Sequence, residues 1–478
     1  MFQDYRDRYC IIGAGPSGIA TAKTFVQRGI PFDLLEREKD IGGLWNIETG
    51  ARVVYETTHL VSALKMTAFE DYPVRYDKDT PAHIIPKYPN HAWVLAYLKD
   101  YARMFGVMPN VQVNKGVEKL SPHQDGSWDV KIAGESEPRR YRGVVVANGH
   151  HETPRVPAYP GEFKGEIIHS RQYVSPRQLR DKRVLIVGAG NSACDIIKDA
   201  AHSSGAPVVM SVRRGTWFVP KFILGFATGD AVALTERLMA PLPRVIKRYL
   251  MQASLVILQG SPKRYKLPQP EYAIDKAHPT MSDDVPRLVA HGRVIVRPEI
   301  ERYEGNDVVF NDGSRDTVDM IIFATGYKFD IPFLNREEYF DAVGRPTLYK
   351  QFAHPRHRNL YFSGLIQANG SIWRLADYQS QIIANAVIAE REAPEEFAAF
   401  RERVGRPVPV SKEKFVISER HKLEANYFDY ARDLKREAKR FRKARRLVHP
   451  AAAAERTAEA AVITDIEAAR AQRSAAAA

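Results

Sequence analysis

Short apolar runs, each followed by a glycine turn and then a longer amphipathic stretch, set the rhythm of this chain. Residues 9–12 (Tyr-Cys-Ile-Ile) and 184–187 (Val-Leu-Ile-Val) read as strands, and each precedes a helix-like segment. Residues 31–36 predict a second strand in the first unit, and 208–212 predict its counterpart in the second. Further strands are expected near 111–120, 128–132 and 143–147, a helix near 91–105, and a buried strand at 318–324. The expected fold class is α/β, with two Rossmann-like dinucleotide-binding domains and a helical C-terminal tail.

The two turns carry the chemistry. GAGPSG (Gly13, Gly15, Pro16, Ser17, Gly18) and GAGNSA (Gly188, Gly190, Asn191, Ser192, Ala193) lie about 175 residues apart. The first glycine permits the tight turn, the second lets backbone touch a pyrophosphate, and a small third residue lets helix and strand pack closely. Phosphates then meet the free N–H groups and positive dipole end of a helix N-terminus. Two such units predict a paired electron donor and acceptor.

The strand ends assign the nucleotides. Glu36 follows the first glycines by about 20 residues and suits a ribose diol, so the first unit is expected to hold FAD. The second unit ends instead in Arg213 and Arg214, which suit the 2′-phosphate of NADPH.

Composition adds limits. With 478 residues the chain needs two or three domains, and its 44% hydrophobic and 27% charged content is ordinary for a globular protein. No apolar stretch approaches a membrane span, and no apolar run before Cys10 suggests a secretory signal, so a cytoplasmic enzyme is expected. Only Cys10 and Cys194 are present, each within a nucleotide-binding element. A dithiol relay like that of flavin disulfide reductases is therefore unavailable, and molecular oxygen becomes the expected electron acceptor. No metal site is assigned.

Five elements in order resemble the flavin-containing monooxygenases, the class B flavoprotein monooxygenase group. They are GAGPSG with Glu36, the Gly42-Gly43-Leu44-Trp45 stretch, residues 163–173 matching FxGxxxHxxx(Y/F), Ala324-Thr325-Gly326-Tyr327, and Gly364-Leu365-Ile366-Gln367. The similarity spans roughly residues 8–390. It implies that Gly43, Leu44, Trp45, Val117 and Gln367 join the FAD contacts, and that Thr325, Gly326 and Tyr327 join those of NADPH. It also implies that His169 positions the domain junction. By the same resemblance NADPH would reduce the flavin, oxygen would form a C4a-peroxyflavin, and NADP⁺ would stay to shield it from water. A small organic substrate carrying a soft nitrogen or sulfur would then take the distal oxygen.

One position departs from the family. Its flavin-site Asn, on the segment before Phe69-Glu70-Asp71-Tyr72-Pro73, aligns with Val61, or with Ala63 in another register, and no Asn occurs between Asn46 and Asn90. Ser62, Thr58 or His59 are the substitutes on offer, and Tyr173 stands where the Baeyer–Villiger fingerprint ends in Trp. His59, Ser62 and Tyr173 are thus the candidate catalytic set. Heteroatom oxygenation is the leading function. Baeyer–Villiger oxidation of ketones and a non-oxygenating or uncoupled NADPH oxidase remain alternatives.

The expected domains are FAD-binding residues 1–168, NADPH-binding residues 169–324, and a second FAD-binding part at 325–400. Residues 222–269 break the βαβ rhythm with apolar-basic helical sequence. A lid or channel wall is the favoured reading there, with a membrane-surface patch also open. A basic helical tail at 401–450 reads as a solvated helix or strap rather than a nucleic-acid site, and the Ala-rich 451–478 reads as disordered. Net charge of +13 comes largely from this end. A homodimer is left open.

Overall fold

The computed structural model describes residues 2–74, 85–239, 241–277, 279–342, 346–406 and 423–447. The expected 451–478 segment and parts of the 401–450 tail lie outside them. The first unit runs β1 (Gln3–Ile12), α1 (Pro16–Arg28) and β2 (Phe32–Leu35). It continues through α2 (His91–Met104), β3 (Val111–Gln112), β4 (Val117–Pro122), β5 (Trp128–Ile132) and β6 (Arg139–Val146). The expected single strand over 111–120 is two strands, because Asn114 turns the backbone into the left-handed region at φ 55°. The sheet order is β3-β2-β1-β6-β5-β4. β1, β2, β3 and β6 are parallel, and β4 and β5 form an antiparallel edge. The C-terminal half of β1 is buried on both faces, which is why it reads as a continuous apolar run rather than an alternation.

The second unit has a five-stranded, wholly parallel sheet. Its strands are β7 (Glu166–His169), β8 (Val184–Val187), β9 (Val208–Ser211), β12 (Val294–Arg297) and β13 (Met320–Phe323), in the order β12-β9-β8-β13-β7. Helix α3 (Asn191–Ser203) follows β8. Between β9 and β12 lie a hairpin, β10 (Phe222–Ile223) with β11 (Phe226–Ala227), and helices α4 (Thr228–Leu238) and α5 (Arg244–Gln259). The strand β7 spans the expected junction at 168.

The chain then returns to the first sheet as β14 (Leu360–Phe362), parallel to β6. Helix α6 (Ile372–Glu392) packs along α1 with fourteen buried residues, polar ones among them. Lys23 is buried there between Asp377 at 2.6 Å and Asp71 at 2.7 Å, so the charges are paired rather than stranded. After α7 (Pro394–Val404), helix α8 (Tyr427–Arg440) lays Tyr427, Tyr430, Leu434 and Glu437 onto this layer. Glu437 accepts from the Tyr349 hydroxyl at 3.0 Å and from Arg403 at 2.8 Å, which anchors the otherwise basic helix as a strap.

Candidate functional site

The first cradle sits where β1 ends and α1 begins. Gly13 has φ 100°, and a Cβ there would meet the Ala147 carbonyl oxygen at 2.8 Å. A Cβ on Gly18 would lie 1.8 Å from the Gly13 carbonyl oxygen. Gly15 is the N-cap of α1 and Pro16 opens it, leaving the first N–H groups of the helix unclaimed by any capping side chain. Glu36, 5% exposed, accepts from the Ala14 N–H at 2.7 Å and the Glu38 N–H at 3.0 Å, which fixes the loop from behind. Burial pushes its carboxyl upward in pKa, against the pull of those N–H donors.

Two other segments close on this loop. A Cβ on Gly43 would meet Gly15 Cα at 2.9 Å, so the glycine pair lets the Gly43–Trp45 turn touch the cradle. Leu44 sits within that turn, and its carbonyl accepts from the Val53 N–H at 3.3 Å. On the other side Gly364, with φ 74°, lies so near Ser17 that a Cβ would fall 2.0 Å from its hydroxyl oxygen. Trp45 meets Trp373 edge-to-face at 6.3 Å, and Trp373 stacks on Tyr97 and Phe69, making an aromatic wall. Gln367 pairs in register with Glu424, tying this wall's neighbour to the strap. Val117 opens β4 and packs on the cluster around Leu120 and Trp128. The close packing that Gly13 and Gly18 permit, the open approach at Gly15 and the uncapped helix N-terminus fit a dinucleotide pyrophosphate.

The second cradle repeats the turn with differences. Gly188 has φ 129° and backs onto the Ala324 carbonyl, and Gly190 is the N-cap of α3. Asn191 is held by accepting the Met281 N–H at 3.0 Å; Ser192 follows it in the first turn of α3, and Ala193 is fully buried. Arg213 and Arg214 are exposed, and Arg213 lies 3.6 Å from Glu299. Thr325 donates to the Arg155 carbonyl and Gly326 accepts from Arg155 N–H, so the crossover at 325–327 pairs with residues 153–155. His169 Nδ1 accepts the Arg171 N–H at 3.2 Å, which leaves the proton on Nε2 to donate to the Gly326 carbonyl at 3.1 Å. Its ring meets Tyr327 edge-on at 5.1 Å, and burial keeps the imidazole neutral.

Each member of the candidate catalytic set has a hydrogen-bond partner of its own. His59 and Ser62 share a loop, where His59 Nδ1 faces the Thr57 carbonyl at 2.9 Å and Ser62 bonds the Thr67 hydroxyl at 2.7 Å. Tyr173 is fully buried, and its hydroxyl donates to Asp199 on α3 at 2.8 Å. Asp199 also accepts from Thr57 at 2.5 Å, and Asp195 accepts from Tyr55 at 3.0 Å. Asn46 is occupied by Asp40, Ile41 and Glu48 and supplies no substitute for the family Asn.

Asp195 and Asp199 were not singled out by the sequence reading. Their i,i+4 spacing on a helix that opens at the second cradle was the available signal. Arg171 was likewise missed: it donates to the His151, Glu152 and Gly50 carbonyls and stitches the domain crossing. One cluster elsewhere, Glu338 with His354 and His357, has metal-ligand composition. There His354 Nδ1 accepts the Arg356 and His357 N–H groups, which places the ring proton on Nε2, 3.1 Å from Glu338, and does not leave that nitrogen a lone pair for a metal.

Two nucleotide cradles joined through one crossover define a flavin oxidoreductase architecture. The chain matches the flavin-binding monooxygenase-like family over residues 6–442 and belongs to it. It is 30% identical to flavin-containing monooxygenase 5 of Homo sapiens over 90% of this chain and 82% of that one. Among solved structures, an S-allyl-L-cysteine S-oxygenase from Allium sativum superposes with a TM-score of 0.61 at 24% identity, covering 90% and 88% of the two chains. A steroid monooxygenase bound to NADP superposes with a TM-score of 0.63 at 16% identity, covering 92% and 99%. The protein is therefore a flavin monooxygenase, an oxidoreductase that uses molecular oxygen and an organic substrate. Among the described residues no helix is long and apolar enough to cross a membrane.

Proposed function

We propose that this chain is an FAD- and NADPH-dependent monooxygenase that oxygenates soft nucleophilic nitrogen or sulfur. The observation that carries the reading is the pairing of unlike cradles, one backed by buried Glu36 and one flanked by exposed Arg213 and Arg214. Glu36 orients the first loop through Ala14 N–H, and the N-terminus of α1 faces the flavin pyrophosphate. Arg213 and Arg214 bind the 2′-phosphate, and His169 with Arg171 fixes the crossover so that the two cradles keep one relative position. Trp45 and Trp373, in edge-to-face contact, would shield a bound flavin from water. When bound, the flavin supplies the hydride acceptance and oxygen activation that no side chain provides. Because the protein contributes position and dryness, a broad range of soft nucleophiles fits the reading.

A second reading draws on Val61. With no Asn in the loop, Ser62 is committed to Thr67 and His59 to Thr57, which weakens protection of activated oxygen and favours release of peroxide. Both readings are separated by incubating the protein with NADPH and a thioether, then a cyclic ketone. Sulfoxide formation without ester supports the leading function; ester alone assigns ketone oxidation; peroxide equal to NADPH consumed, with neither product, assigns an oxidase.

A further inference from the structure

The strap helix α8 reaches the first cradle through a buried file of hydrogen bonds. Tyr430 of α8 is 1% exposed, and Gln379 of α6 is fully buried. Gln379 Oε1 accepts the Gly364 N–H at 2.9 Å. A backbone N–H can only donate, so that contact fixes the amide and turns its NH2 toward the Tyr430 oxygen, 2.8 Å away. The Tyr430 hydroxyl accepts there and has one proton left, which goes to the Lys350 carbonyl. Burial raises the pKa of this phenol, so it stays a neutral donor. Phe at 430 would fill the same space without a polar group to satisfy. The hydroxyl is tolerated at this depth because both of its bonds are made.

Both ends of the file are constrained. Gly364, just after β14, is the residue whose missing Cβ admits Ser17 at the opening of α1. One residue earlier, the Ser363 hydroxyl donates to the Ser17 carbonyl at 3.4 Å. At the far end Lys350 (φ 45°) and Gln351 (φ 55°) are consecutive non-glycine residues in the left-handed region. They form a tight turn that the Phe352 N–H closes on the Tyr349 carbonyl at 3.0 Å. Such a turn favours glycine, and with other residues it persists only where its surroundings hold it. Here α8 supplies the hold, through Tyr430 on the Lys350 carbonyl and Asp433 3.4 Å from Lys350 Nζ. The turn in return keeps the Tyr430 hydroxyl in place for Gln379.

We propose, on the reading of the first cradle as the FAD site, that Tyr430 is a positioning residue for that cradle, acting through Gln379 to hold the Gly364 turn against Ser17. The test loads the full chain with FAD and follows the fluorescence of the FAD released after dilution. Tyr430→Phe keeps the ring and its packing and is expected to release FAD roughly tenfold faster, the worth of a buried hydrogen bond. Tyr349→Phe is the control. It loosens the strap at Glu437, 3.0 Å from the Tyr349 hydroxyl, and should lower the melting temperature while releasing FAD at the wild-type rate. Gln379→Met removes the middle link. Release should again be faster, and adding Tyr430→Phe to it should change the rate less than about twofold. Equal release by wild type and Tyr430→Phe overturns the proposal. Equal acceleration by Tyr349→Phe and Tyr430→Phe also overturns it, by making attachment of the strap the cause. So do effects of Tyr430→Phe and Gln379→Met that multiply independently. A wild-type chain that takes up no FAD removes the reading of the cradle as well, which sets that failure apart from the others.

Discussion

The two cradles share a motif and differ in enclosure. In the first, Gly43 and Gly364 press in from both sides through contacts that leave no space for a Cβ, and the Glu36 carboxylate closes the rear. In the second, Ala193 already occupies the third motif position that Gly18 fills in the first, and the strand-end arginines stand in solvent. The first has the build of a site for a group held permanently, the second of a site for one that exchanges.

The sharpest way to break the comparison is Gly18→Ala. Its Cβ would sit 1.8 Å from backbone oxygen, which cannot swing aside, so α1 must move off the sheet. The expected loss is about 3 kcal/mol of stability and most of the bound flavin. Flavin absorbance per polypeptide, with thermal unfolding, checks both. The reciprocal change Ala193→Gly should leave flavin content intact and alter stability by about 1 kcal/mol or less. Yellow, fully loaded Gly18→Ala protein would erase the asymmetry.

Removing both arginines tests the open cradle. Arg213→Ala with Arg214→Ala should raise the KM for NADPH roughly 10- to 100-fold, the worth of charge-assisted bonds to a phosphate, and leave that for NADH unchanged. Equal increases for the two cofactors would show that the pair shapes only the turn. A smaller effect is expected at the closed cradle from Glu36→Gln. The amide keeps one acceptor for Ala14 or Glu38 but loses the charge, so flavin retention through gel filtration should fall roughly tenfold.

How much of this could be read along the chain depends on range. The strands at 9–12 and 184–187, the glycine turns and the acid at Glu36 are local signals, because sequence spacing alone places them. Gly364 meeting Ser17 joins positions almost 350 residues apart, and no spacing rule reaches that far. The resemblance had flagged the Gly364 segment without saying what it touches. The 222–269 region announced itself by broken rhythm, yet the direction in which its apolar side faces is set by packing. Position 61 was legible as a departure; that Ser62 is spent on Thr67 was not. The join between units is carried by Asp195 and Asp199, whose hydroxyl partners come from distant segments.

That join yields the most specific effect. The Asp199 carboxylate accepts from Thr57 of the first unit and from Tyr173, and burial raises its carboxyl above the ordinary range. A carboxyl with a folded pKa above its unfolded value binds more protons when folded. Its contribution to stability therefore falls as pH rises from the ordinary range near about 4 through the raised value. Asp199→Asn removes the titration and keeps an acceptor, whereas Asp199→Ala strands two hydroxyls. The Ala variant is expected to lose about 2 kcal/mol and to raise the KM for NADPH with flavin content unchanged, because α3 opens at the second cradle. The Asn variant should stay within about 1 kcal/mol of wild type, and its melting temperature should fall less steeply between about pH 4 and pH 7. Parallel melting profiles for wild type and Asp199→Asn would mean that this carboxyl titrates alike folded and unfolded. An unchanged KM in the Ala variant would mean that the hydroxyl clamp only packs the domains and does not set how the second cradle meets the first.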